Sequence, residues 1–299
     1  MKQYDIYVFS GTGNTEKCAA FLQKELSALG AAAELHHVES GEETSQGNRL
    51  ILCYPIHGFN APNPMLRFCR GIPDGHGDVW FLKTSGEPLH LNDNSSAELV
   101  HILRRKGYDV KGEFHYVMPY NMVFRHSDEM ASLMWKTAKQ RIPAAARQIL
   151  SDEGACTEAP LSARLMSGIC RIEHGFYPLN GRLFRVDGKR CIRCMQCVNS
   201  CPTQNIRYEN GRFRFGGSCT GCTRCSFNCP GAAIHIGLLD FIRVNGRYDF
   251  DRDPKKATIG RYCRKAYLRY YLENPDNTYD DHSADADNQT SRKNDDHGF

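Results

Sequence analysis

The sequence predicts an α/β doubly wound sheet of five parallel strands, followed by a small α+β module organised by cysteines. Residues 1–150 alternate strand-like and helix-like runs. A glycine-rich turn joins the first strand to the first helix, and eight of the fourteen cysteines lie within residues 191–229.

Apolar and β-branched runs place strands at Tyr4–Phe9, Ala33–Val38, Arg49–Tyr54, Asp78–Thr84 and Glu113–Met118. Between them, helical patterns cover Thr15–Leu29 (ended by Gly30), Pro64–Cys69, Ser95–Lys106 and Ser127–Leu150. Strands alternating with helices mean βαβ units, and right-handed crossovers then cover both faces of one sheet. Residues 151–185 form a mixed connector rich in Gly and Pro, where Leu161–Ile172 is compatible with a short helix. The cysteine module occupies residues 186–236. A basic, aromatic segment over residues 237–272 ends in a helix expected at Ala257–Leu272. An acidic tail, residues 273–299, has almost no apolar residues and is expected to be disordered.

A chain of 299 residues is long enough for two domains, and its 41% hydrophobic and 24% charged content is that of a soluble globular protein. No apolar run approaches the 18 or so residues of a membrane span, and no secretory signal is visible, so a cytoplasmic protein is expected. The net charge of +4 is uneven. Glu273–Phe299 holds eight acids and two bases, a net of −6, which leaves +10 for the rest.

A reducing compartment argues against disulfides, and clustering at fixed spacing argues for metal ligation. The first unit reads Cys191-Ile-Arg-Cys194-Met-Gln-Cys197-Val-Asn-Ser-Cys201-Pro202. The second reads Cys219-Thr-Gly-Cys222-Thr-Arg-Cys225-Ser-Phe-Asn-Cys229-Pro230, 28 residues later. Ile206 and Ile234 keep the same offset, so the repeat continues past the cysteines. Between the units, Asn210-Gly211 marks a type I′ hairpin flanked by Ile206–Tyr208 and Arg212–Phe215. Structural zinc also takes paired CxxC units. It has no use for a third cysteine at the same spacing plus Cys-Pro, twice over. The cysteines outside the cluster, Cys18, Cys53, Cys69, Cys156, Cys170 and Cys263, read as small buried hydrophobes.

These 45 or so residues resemble the bacterial two-cluster ferredoxins. The resemblance implies two [4Fe-4S] clusters, with the fourth cysteine of each unit crossing to the other cluster. Cys191, Cys194, Cys197 and Cys229 would then hold one, and Cys219, Cys222, Cys225 and Cys201 the other. A three-iron cluster at either site is also compatible with the spacing.

After the first strand, Ser10-Gly11-Thr12-Gly13-Asn14-Thr15 opens directly into a helix. Small residues at a helix N-terminus offer backbone N–H groups to an anion, helped by the helix dipole. A nucleotide-triphosphate loop would end in Gly-Lys-Ser/Thr, and a dinucleotide fingerprint would need glycine where Glu16 stands. The remaining match is to the flavodoxins, whose phosphate loop this hexapeptide resembles and whose sheet order, 2-1-3-4-5, fits the five strands.

That resemblance covers about 150 residues and implies FMN. Ser10, Thr12, Gly13, Asn14 and Thr15 would hold its phosphate. The ring would lie at the C-terminal strand ends, with the Gly58 peptide near N5 and backbone donors from Ser85 and Gly86 at the pyrimidine. Phe59, Tyr54 or Tyr120 would stack on the ring or simply pack. His57 would act as a proton donor or be a partly buried polar residue.

Lys255, Lys256, Arg261, Arg264, Lys265 and Arg269 interleave with four tyrosines near the C-terminus. No nucleic-acid fold accompanies them, so a helix packing its tyrosines on the cysteine module is expected, with a docking patch for an acidic redox protein as the alternative. Residues 1–236 as a whole resemble the fused flavodoxin-like and ferredoxin proteins of anaerobic bacteria. The resemblance implies an electron carrier exchanging electrons with a redox partner protein. An FMN-dependent reductase and an iron–sulfur redox sensor are the alternatives.

Overall fold

The computed structural model describes residues 2–40 and 49–272. The acidic tail expected at residues 273–299 lies outside them. The first domain is a flavodoxin-like five-stranded parallel sheet of order β2-β1-β3-β4-β5, formed by β1 (Gln3–Val8), β2 (Ala32–His37), β3 (Arg49–Pro55), β4 (Gly77–Ser85) and β5 (Tyr108–Val117). Its helices are α1 (Asn14–Ala28), α2 (Asn63–Gly71), α3 (Ala97–Arg105) and α4 (Asp128–Leu150).

Alternation along the strands builds two cores, because successive side chains leave opposite faces of a sheet. Tyr4, Ile6 and Val8 of β1 pack with Leu22 and Leu26 of α1 and Ile142 and Ile149 of α4. Tyr7 and Phe9 point the other way, with Met65 and Leu66 of α2 and Leu99 and Leu103 of α3. Each such fully buried aliphatic or aromatic side chain stabilises the fold by about 1.5–3 kcal/mol. The start of α4 is fixed by Ser127, whose Oγ accepts the Met130 N–H at 3.1 Å.

The connector is more ordered than its composition suggests. It folds into α5 (Leu161–Cys170) and α6 (Glu173–Gly181), the second of which the sequence pattern does not predict. Next come β6 (Arg185–Val186), α7 (Gln196–Asn199), the hairpin β7 (Ile206–Glu209) and β8 (Arg212–Phe215), α8 (Arg224–Phe227) and β9 (Ile234–His235). Asn210 and Gly211 both have positive φ, 50° and 76°, as a type I′ turn requires.

The expected C-terminal helix is shorter than its pattern: α9 runs only over Arg264–Leu272. Its partner also differs from the expectation. Tyr267 and Tyr271 pack on Val117, Met130, Leu133 and Met134 of the sheet domain, not on the cysteine module. Cys18, Cys53 and Cys69 are fully buried as small hydrophobes. Cys156 is exposed and Cys170 and Cys263 are half-buried, so that expectation fails for these three.

Candidate functional site: a cavity beside two cysteine cages

The 28-residue repeat is visible in the backbone. Arg193 and Gly221, Met195 and Thr223, and Gln204 and Ala232 form three pairs at that spacing, and all six have positive φ. This left-handed geometry closes the tight loops that gather thiols, and α7 and α8 each start at the second pair, Met195 and Thr223. After each unit a backbone N–H returns to the fourth sulfur. Asn205 donates to Cys201 Sγ and Ala233 to Cys229 Sγ, both at 3.3 Å.

Two cages result. Cys191, Cys194, Cys197 and Cys229 line one cleft, which Cys225 also borders. Cys201, Cys219, Cys222 and Cys225 line the next. The fourth cysteine of each unit thus sits among the first three of the other. Electrostatics follows the same grouping. Burial pushes the Cys197 thiol up to about 11, opposed by the Val198 N–H and reinforced by Cys229, Cys191 and Cys194. Burial likewise pushes Cys219 up to about 12, opposed by the Gly221 and Thr220 N–H groups and reinforced by Cys222 and Cys201. Soft sulfur donors in fours, with N–H groups aimed at them, fit an iron–sulfur cluster.

At the C-terminal ends of the strands lies a cavity of about 410 Å³. Ser10, Thr12, Asn14, Thr15, Gly58, Phe59, Ser85, Gly86 and Tyr120 all line it. Gly13 stands apart: it borders the neighbouring cleft, and its N–H is donated to Ser10 Oγ at 3.1 Å. The loop is held from behind by Asn14 Nδ2, which donates to the Pro119 carbonyl at 2.8 Å, and by the Thr15 and Thr84 hydroxyls, 2.7 Å apart. No lysine or arginine lines the cavity among the described residues. An anion there would meet N–H groups, hydroxyls and the N-terminus of α1. A side chain on Gly58 would meet Glu173 Oε2 at 2.6 Å and would have to hold a left-handed φ of 49°, so a substitution there must displace the Glu173 carboxylate and strain the backbone. Its size and donors fit one cofactor-sized phosphate ester such as FMN.

Of the aromatic candidates, Tyr54 is fully buried in the core against Phe81 and does not reach the cavity. Tyr120 lines it, but His126 stacks on its ring at 5.5 Å with planes 6° apart, and its hydroxyl donates to Glu87. Burial raises the Glu87 carboxyl above its usual range, against the donations from Tyr120 and Asn92. His57 also lines the cavity, and burial pushes its imidazole down to about 4, with His174 adding to the effect.

Several lining residues escape sequence reasoning. Glu173 and Tyr177 come from α6, with the Tyr177 hydroxyl donating to Glu173 Oε2 at 2.7 Å. Their i, i+4 spacing is the one signal that could have found them. Tyr262 comes from the C-terminal segment, whose Ile242 carbonyl accepts the Val123 N–H at 2.8 Å. Gly221, between Cys219 and Cys222, lines the cavity too. Cys222 itself is buried and packs with the core cluster that holds Tyr7, Phe9 and Met65. Arg224 completes this join: its guanidinium donates to the Ser10 carbonyl at 2.7 Å and the Ser200 carbonyl at 3.0 Å, and pairs with Glu39.

Residues 183–230 match the family described as a 4Fe-4S dicluster domain. Indolepyruvate oxidoreductase subunit IorA of Methanothermobacter marburgensis is 38% identical over 66 residues, 22% of this chain and 10% of that subunit. Pyruvate synthase subunit PorD of Methanocaldococcus jannaschii is 39% identical over 57 residues, 18% of this chain and 66% of that subunit. The chain therefore spans a tenth of the first relative and just under two thirds of the second. Among solved structures, a flavodoxin of Streptococcus pneumonia TIGR4 is 13% identical and covers 50% of this chain and 97% of its own, with a TM-score of 0.37. The strand order β2-β1-β3-β4-β5 and its parallel register define the fold of residues 3–117. No helix among the described residues is long and apolar enough to cross a membrane.

Proposed function

We propose that this chain is a cytoplasmic electron-transfer protein that holds two [4Fe-4S] clusters and FMN and passes electrons between them. The observation that carries this reading is Gly221. It stands between Cys219 and Cys222, which line one cysteine cage, and itself lines the cavity at the strand ends, so one short loop serves both sites. Bound clusters supply single-electron steps, and FMN supplies storage of one or two electrons.

Cys191, Cys194, Cys197 and Cys229 hold the distal cluster; Cys219, Cys222, Cys225 and Cys201 hold the one beside the cavity. Ser10, Thr12, Asn14 and Thr15 take the phosphate, and Gly58, Ser85 and Gly86 face the ring with their peptides. Of the three aromatic candidates Phe59 is the one left to stack, since Tyr54 is in the core and Tyr120 is engaged with His126 and Glu87. A cavity of about 410 Å³ is at the small end of ligand pockets, with room for one cofactor. That favours a carrier over a reductase, which needs space for a substrate on the ring. Likeness to a subunit named as part of an indolepyruvate oxidoreductase agrees with redox chemistry.

Iron, sulfide and flavin analysis of anaerobically purified protein tests the reading, with about eight irons and one FMN per chain expected. Zinc in place of iron and sulfide would sink it. Cys222→Ser should then disturb both the cluster beside the cavity and the visible spectrum of the flavin, whereas Cys194→Ser should leave the flavin spectrum unchanged.

A further inference from the structure

We propose that the face of the cysteine module carrying Cys194 is the docking surface for an acidic one-electron redox protein. This rests on the electron-carrier reading above and assigns its outer partner. The two cages differ in access: Cys194 is exposed, whereas Cys222 is buried. Between Cys191 and Cys194, Ile192 is 68% exposed, an apolar contact at the outer cage.

The charge around that cage is one-sided. Residues 182–216 contain eight bases and two acids, a net of +6. Lys189, Arg190 and Arg193 are exposed on the cage loop itself. Arg207, Arg212 and Arg214 are exposed on the outer face of the hairpin β7–β8, whose opposite face turns Phe213 to the same cage. Among the described residues only Arg207 of these six has an ion pair, with Glu209 at 4.0 Å.

Arg207 also stands directly opposite Arg214 across the hairpin. Like charges in register destabilise a strand pair, so fold stability does not account for this arrangement. Exposed basic residues on the module that presents Cys194 steer an acidic partner and raise its association rate by about 10- to 1,000-fold. The chain's own tail, with a net charge of −6, is the rival occupant.

The test uses the holoprotein with an acidic two-cluster ferredoxin as the redox protein. Its reduction of this chain is followed by stopped flow, and binding of its oxidised form by titration, each across a salt series. The rate constant and affinity for the native chain should fall at least tenfold from low to high salt. Arg193→Glu/Arg214→Glu should lose at least tenfold in both at low salt and become nearly salt-independent, while Arg193→Lys/Arg214→Lys keeps native behaviour. Equal rates and affinities for the charge-reversed and native chains overturn the proposal.

Photoreduction by a small uncharged deazaflavin separates the two levels. Clusters that it reduces equally in all variants leave the carrier reading intact whichever way docking falls. Clusters that it leaves oxidised break the carrier reading itself. In the full-length chain, Asp280→Asn/Asp281→Asn/Asp285→Asn/Asp287→Asn should keep the native salt dependence. Ferredoxin binding that appears only in that variant would assign the patch to the tail and overturn the choice of partner.

Discussion

The carbonyl oxygen of Cys222 lies against the Cα of Gly11, leaving no space for a side chain there. A cage loop and a phosphate-type loop, more than two hundred residues apart in sequence, are thereby in backbone contact. Gly11→Ala should force them apart, since the clashing atom is backbone and cannot rotate away. Overpacking of this kind costs about 1–3 kcal/mol. On the proposed FMN reading it should appear as a dissociation constant for FMN raised roughly five- to a hundredfold, measured by fluorescence titration of the flavin-free protein. Gly13→Ala meets nothing within 4 Å but must hold φ near 98°. It should lower stability by about 1 kcal/mol while disturbing the cysteine module less.

Arg224 bridges the two halves through Glu39 and the Ser10 carbonyl. Arg224→Met should destabilise the chain by about 2 kcal/mol, the scale of charged hydrogen bonds lost in a partly buried place. Urea unfolding of the single and double variants with Glu39→Gln measures the coupling. Additive losses would mean that the pair does not act as a unit.

Lys83 and Glu113 form an ion pair at 2.5 Å with side chains 4% and 6% exposed, and Ser96 Oγ donates to the same carboxylate at 2.6 Å. Lys83→Met strands a buried carboxylate and should cost about 3–5 kcal/mol. Lys83→Met/Glu113→Leu removes both charges and should recover most of it in the same urea assay.

Three half-buried histidines set an acid limit. Burial pushes His57 and His126 down to about 4 and His115 to about 3, His174 and Lys83 reinforcing the effect at His57 and His115 respectively. The unfolded chain binds protons on these rings from about pH 6.5 downward, while the folded chain resists. Their stabilising effect is therefore present above pH 6.5 and lost as pH falls towards 4. The loss is on the order of 1 kcal/mol per histidine by pH 5, discounted for partial solvent access. Melting temperatures from pH 7 to pH 4.5 check this, and His115→Gln should flatten the slope.

The five strands are legible because β1, β3 and β4 carry apolar side chains to both faces, and the cages because 28-residue periodicity needs no tertiary information. The beginning of β5 is not: Tyr108 and Val110 alternate with Asp109 and Lys111, and Gly112 breaks the run, so the pattern starts only at Glu113. Composition also cannot tell which surface a tyrosine-rich helix will choose, and α9 takes the sheet domain. Glu173, Tyr177 and Tyr262 reach the cavity only because two remote segments fold over it. The i, i+4 spacing of Glu173 and Tyr177 marks a shared helix face but not the cavity that the face closes.

The cavity walls begin at Ser10 and end at Tyr262. A nascent chain with only its first 150 residues outside the ribosome can complete the sheet, yet its pocket still lacks the connector helix, the cage loop and the last aromatic. Manufacture therefore runs in a fixed order, scaffold early and enclosure last. A ligand taken up before Tyr262 emerges would sit in an open tray and wash out.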